Sequence, residues 1–165
     1  MYLLFITFCL IITHALLRLV LPFLLMQKCK AIGLEFLRSM ITIGITSILG
    51  LVLAGMIPDL ETSNRILHAF GGGFMAVLVC FLAMTDAQLR TSGVRFALYA
   101  LLIASTLGVA NELLEFVLQQ HMGYLFAVHV NDTWLDLVSN TIGISIGIAC
   151  FAPFIRKPKD SLSTQ

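Results

Sequence analysis

The stretch VRFALYALLIASTLGVANELLEFVLQ, residues 94–119, decides what kind of protein this is. It is longer than the roughly 20 apolar residues that a helix needs to cross the hydrocarbon core of a bilayer. Its only charges are Arg95 at one end and Glu112 and Glu115 toward the other. Carboxylates inside such a segment are costly, so they mark function or a specific partner. The rest of the chain has the same texture. Of 165 residues, 59% are hydrophobic and 12% charged, with a mean hydropathy of +0.97. A soluble domain carries about 25% charged residues, so this is an integral membrane protein.

Five segments are long and apolar enough to span, at about 3–26, 36–57, 65–85, 94–119 and 134–154. The expected fold is therefore an all-α polytopic bundle of about five transmembrane helices, a single domain over 1–154 with a solvated tail at 155–165. The first segment lacks a basic flank and is too long for a signal peptide, so it is expected to be retained as a span. Loop one carries Lys28, Lys30 and Arg38, loop three Arg90 and Arg95, and the tail Arg156, Lys157 and Lys159. Loops two and four together carry only Arg65, and Arg18 lies within the first span. The Lys/Arg bias of loops then predicts an N-terminus outside and a C-terminus in the cytoplasm of a cell (plasma or inner) membrane. A net charge of +1 gives no sign of a nucleic-acid partner. Cys9, Cys29, Cys80 and Cys150 form no CxxC pair and are read as small packing residues.

Six of the nine carboxylates, Asp59, Glu61, Glu112, Glu115, Asp132 and Asp136, fall at the expected outer side, with His68 among them. At about 100° per residue, Ser105, Gly108, Glu112, Glu115 and Gln119 share one stripe of the fourth span, bordered by Asn111. In the fifth span Asp136, Asn140, Gly143 and Gly147 form a second stripe. There Ser139, Gly143 and Gly147 make a small-residue face for close helix packing, a face that also permits a homodimer. In the third, His68 is followed by Gly72, Ala76 and Cys80. Packed together, the three stripes would leave their polar outer ends as a shared pocket of His68, Glu112, Glu115, Asp136 and Asn140, with Asn111, Asp132 and Gln119 as secondary candidates. Asp59 and Glu61 read as ordinary loop charges.

Plainer roles compete at each position. Thr133-x-x-Asp136 matches a capping box. His68 could serve only to bond a neighbouring carboxylate, Glu115 could reach toward water, and Asn140 could bridge helices. Structural roles are favoured for His14, read as facing the interior, and for Arg18, read as snorkelling toward the cytoplasm. Tyr124 and Trp134 suit an outer aromatic belt. The apolar loop 122–128 could lie over the pocket.

The segments Asn64-Arg65-Ile66-Leu67-His68, Asn111-Glu112-Leu113-Leu114-Glu115-Phe116 and Asp132-Thr133-Trp134-Leu135-Asp136-Leu137-Val138-Ser139-Asn140-Thr141-Ile142-Gly143, in that order, resemble the VanZ-like family of small multi-pass bacterial membrane proteins. The likeness covers about residues 64–147. Asn64 and Arg65 stand where the family usually has Asp and Lys, and Glu115 where it often has Gln. The resemblance implies an inner-membrane, cell-envelope protein. In the name-giving member the family is associated with antibiotic resistance, namely low-level glycopeptide (teicoplanin) resistance.

Three functions fit these residues. The leading one is a non-transporting envelope protein whose outward pocket binds a lipid-linked or polar envelope ligand, with membrane lipid and a lipid-linked precursor as its partners. The second is an intramembrane metal-dependent hydrolase, with His68, Glu112 and Asp136 as ligands of a divalent metal. Otherwise no cofactor is expected. No His-Glu-x-x-His, Gly-x-Ser-x-Gly or Walker loop is found, which points away from an enzyme. The third is a proton- or cation-coupled transporter, for which the polar groups stop in the outer half and no inverted repeat is seen.

Overall fold

A computed structural model describes the backbone of residues 2–123 and 130–155, and side chains over 6–123 and 131–155. The expectations for Tyr124, for most of loop 122–128 and for the tail beyond Ile155 lie outside the described residues. The described chain is all-helical: α1 Tyr2–Leu24, α2 Leu34–Gly55, α3 Leu60–Leu67, a π-helical segment His68–Phe74, α4 Met75–Asp86, α5 Gly93–Met122, α6 Val130–Phe151, and a closing 3-10 turn Ala152–Phe154. From α3 to α4 the chain is one unbroken rod, Leu60–Asp86, so five helices are long and apolar enough to cross a membrane.

The boundaries have local causes. Asp59 starts α3 by accepting the Thr62 amide at 2.8 Å, and Ser92 starts α5 by accepting the Arg95 amide at 3.2 Å. Gly123 ends α5 in the left-handed region at φ 70°, where a residue without Cβ is unstrained. The capping-box reading of Asp136 is overturned. Helix α6 begins at Val130, so Asp136 lies in its second turn and its carboxylate is free to bond elsewhere.

The bundle is arranged around α4. Met75, Val77, Val79, Cys80 and Ala83 are fully buried there, while α1, α2, α5 and α6 all pack against it. The outer helices present Phe8, Leu19, Phe23, Ile45, Leu53, Leu102, Leu113 and Ile142 outward, as lipid contact requires. Exposed hydroxyls on these faces turn back to their own helix: Thr106 donates to Leu102 O at 2.8 Å and Thr141 to Leu137 O at 2.8 Å.

The tightest crossing is between the π segment and α6. It depends on glycines at both sides, because a Cβ on Gly143 would land on the Ala69 carbonyl and a Cβ on Gly73 would sit 2.7 Å from Gly143 Cα. A Cβ on Gly147 would come within 2.9 Å of Val77. The small-residue face of Ser139, Gly143 and Gly147 thus packs inside the chain. Phe70, Phe74, Phe151 and Phe81 stack in succession, with centroids 5.8, 5.4 and 5.1 Å apart, and tie the π segment and α4 to α6.

Helix α5 departs from the expected stripe. Its buried residues are Phe96, Ala100, Ala104, Gly108 and Glu112, each four apart, and Ser105 is exposed. A strict four-residue repeat advances about 40° per step around a helix with 3.6 residues per turn. The buried line therefore winds across α5, facing the apolar core around α4 at one end and Asn140 and His68 at the other.

Candidate functional site

The π segment, α5 and α6 bring the candidates together at the cation-poor end. A π turn is wider than an α turn and is often found at functional sites. Here it begins at His68, whose ring sits between two carboxylates. Nδ1 lies 3.6 Å from Glu112 Oε1 and Nε2 lies 3.5 Å from Asp136 Oδ2. One ligand atom from each of the three residues falls within 4.8 Å of the others. Ligands of one zinc-like ion are each about 2.0–2.2 Å from it, so this set could reach an ion with small side-chain adjustments.

Asp136 is the hub. It is 4% exposed, and its Oδ1 accepts from Arg65 Nη1 at 2.7 Å and from Asn64 Nδ2 at 3.1 Å. Arg65 also donates to the Asp132 carbonyl at 3.2 Å and faces the carboxylates of Asp132 at 3.4 Å and Glu61 at 3.5 Å. Arg65 is the residue that charge counting undervalued. It looked like the lone cation of an outer loop, and its spacing of three before His68 was the available signal. Glu61, read as a loop charge, lies in the first turn of α3 on the same face as Arg65.

The other candidates divide. Asn111 Nδ2 donates to Glu115 Oε1 at 2.8 Å, which holds Glu115 half-buried on the side of α5. Gln119 lies a turn further on, also half-buried. Glu112 is 9% exposed and its Oε1 has no hydrogen-bond partner among the described residues. Asn140, 3% exposed, fits between Gly72 and Gly108, so close that a Cβ on Gly108 would be 3.1 Å from its Nδ2. Neither its amide oxygen nor its nitrogen finds a partner among the described residues. Such a group costs about 1–3 kcal/mol unless something satisfies it.

Asn140 lies against a cavity of about 230 Å³, with both of its amide atoms buried. The polar residues of the wall are uncharged amides and hydroxyls, with His68 beside them: Thr13, Ser47, Asn64, Asn111 and Asn140. The remainder is apolar, including Leu10, Leu51, Met75 and Leu107. Glu112, Glu115 and Asp136 do not line it; they stand behind His68 and Asn111.

A second buried polar group was not expected. His14 is fully buried, with Nε2 3.0 Å from Asp86 Oδ2, although the pair is not aligned as a hydrogen bond. Ser39 donates to Asp86 Oδ1 at 2.8 Å, tying α1, α2 and α4 together. Arg18 does not snorkel: it is 3% exposed, donates to the Lys30 carbonyl at 2.7 Å, and lies 5.6 Å from the Phe36 ring centroid. Loop one folds back over it. The expectation that membrane polar groups stop at one half is thus overturned, since this cluster lies at the cation-rich end. Met75–Met84, ten consecutive apolar residues of α4, separate the two clusters.

Compared with known proteins, the chain matches no family model, no curated protein and no solved structure.

Proposed function

We propose that this is a VanZ-like, cell-envelope-associated membrane protein whose outward polar pocket binds a lipid-linked or polar envelope ligand without transporting it. The observation that carries the reading is Asn140, an amide buried beside a cavity whose donor and acceptor find no partner among the described residues. A ligand that supplies those bonds gains them at little ordering cost, because Gly72 and Gly108 hold the side chain in place. Asp136, Arg65 and His68 fix the wall from behind, a rigid support of the kind that precise binding needs. Along α4 only the apolar residues Met75–Met84 lie between the two polar clusters, which supports binding over proton or cation passage.

The test is drug sensitivity of cells carrying Glu112→Gln or Asp136→Asn at normal membrane abundance. Altered sensitivity to glycopeptides or other envelope-directed drugs is expected. Unchanged sensitivity in both variants would overturn the proposal.

A metal-dependent hydrolase is the second reading, favoured by the convergence of His68, Glu112 and Asp136 and by a Glu112 oxygen with no hydrogen-bond partner among the described residues. Against it, Arg65 already occupies one oxygen of Asp136 and repels a cation. Metal analysis of the purified protein separates the two: stoichiometric zinc, manganese or iron, lost in His68→Ala, would replace the first reading.

A further inference from the structure

Helices α1 and α5 both pack against α4, and among the described residues their backbones do not approach each other closely. Toward the cation-rich end, Leu17 and Leu21 of α1 and Phe96, Ala100 and Ile103 of α5 belong to one apolar core around α4, which closes the space between them. Toward the other end the space stays open as the cavity. Ile6, Cys9 and Leu10 form one side of it, Leu107, Asn111 and Leu114 the other, and the π segment with Asn140 the back. Cys9 and Asn111 are exposed and Leu114 is 44% exposed, so the opening faces sideways, toward the surface that five apolar helices present to lipid.

The lining specifies the chemistry of an occupant. Its mouth is mostly apolar, with the Asn111 amide donating to Glu115, and a bilayer supplies hydrocarbon chains at that depth. At its back the cavity offers amides and hydroxyls. Among the described residues no lysine or arginine lines it, and the Arg65 cation is turned to Asp136. An anionic end would arrive close to Glu112, Glu115 and Asp136, with the Arg65 guanidinium already paired to Asp136 and the His68 ring held between Glu112 and Asp136. An uncharged end that both donates and accepts would satisfy the Asn140 amide directly.

We propose that the α1–α5 groove admits a long hydrocarbon chain sideways from the bilayer and holds its uncharged hydroxyl end against Asn140. The inference rests on the binding role proposed above and narrows it to a lipid alcohol entering through the membrane rather than a polar molecule entering from water.

The experiment is photolabelling of the full chain in nanodiscs with diazirine-bearing hexadecanol, followed by mapping of the labelled residues. Labelling concentrated on Ile6, Leu10, Leu107 and Leu114 is expected. Unlabelled hexadecanol should compete at least tenfold better than hexadecanoate. Two variants accompany it. Asn140→Leu keeps the volume while removing an amide that finds no partner among the described residues, so the fold should be as stable or more so and the labelling should fall several-fold. Leu114→Trp fills the mouth at a half-exposed position and should block labelling with Asn140 intact. Labelling spread evenly over all five helices, or unchanged in folded Leu114→Trp, would sink the groove. That result leaves the binding role itself to the drug-sensitivity test, which reads Glu112 and Asp136 behind the wall and not entry from the bilayer.

Discussion

Replacing Arg65 with glutamine perturbs the polar network at its centre, and the structure gives the size of the effect. Arg65 makes one short charge-assisted bond, 2.7 Å to Asp136, and three longer contacts at 3.2 to 3.5 Å with Asp132 and Glu61. A hydrogen bond to a charged group is worth about 1.5–3 kcal/mol, and removing one partner of a buried ion pair costs about 3–5 kcal/mol because the other charge is left alone. Asn64 still bonds Asp136 at 3.1 Å, and the Arg65 side chain is 18% exposed, so the low end applies. Arg65→Gln should therefore cost about 3 kcal/mol, roughly a hundredfold in the folding equilibrium. Asp136→Asn leaves Arg65 its contacts with Asp132 and Glu61 and should cost about half as much. The double variant removes both charges together and should cost about 2 kcal/mol, well below the sum of the singles. The assay is reversible unfolding in mixed micelles, followed by helical circular dichroism. Additivity within about 0.5 kcal/mol would refute the pairing as the organising contact of the site.

Other expectations follow from the same contacts. Gly143→Ala should destabilise by about 3 kcal/mol or more, because its Cβ meets the Ala69 backbone rather than a movable side chain, whereas Gly44→Ala, with nothing within 4 Å, should stabilise α2 by about 0.5–1 kcal/mol; thermal denaturation in detergent compares them. Asp86→Ala should cost about 3 kcal/mol by stranding His14, and His14→Leu in the same chain should recover part of it, read by the same unfolding assay. The Thr62 bonds hold the Asp59 carboxyl below its ordinary range. The cap therefore contributes at pH above the ordinary carboxylate value and is lost as pH falls through the lower folded value, so exchange of the Thr62 amide should accelerate only under acid conditions.

The spans were legible because crossing a bilayer imposes a length and a composition on each segment separately. The convergence of the stripes carrying His68, Gly108, Glu112, Asp136 and Asn140 was partly legible, since helical spacing fixes which residues share a face. Ser105 misled because one straight stripe assumes one fixed neighbour, and α5 changes neighbours along its length. His14 and Asp86 gave no joint signal at all. They are 72 positions apart, and each alone looked like an isolated polar residue.

The sequence by itself determined an all-helical chain with five segments able to span a membrane, and the order in which polar groups lie along each helix. Those are one-dimensional properties, fixed by hydropathy and a period of 3.6. Only the tertiary structure decided that Arg65 belongs to Asp136, that Asn140 has no partner among the described residues, and that α1 and α5 border an open cavity. The physical reason is that α4 lies at the centre. Which helices meet around it depends on where glycine lets two backbones approach and where bulk keeps them apart, and that is a property of pairs of segments distant in the chain.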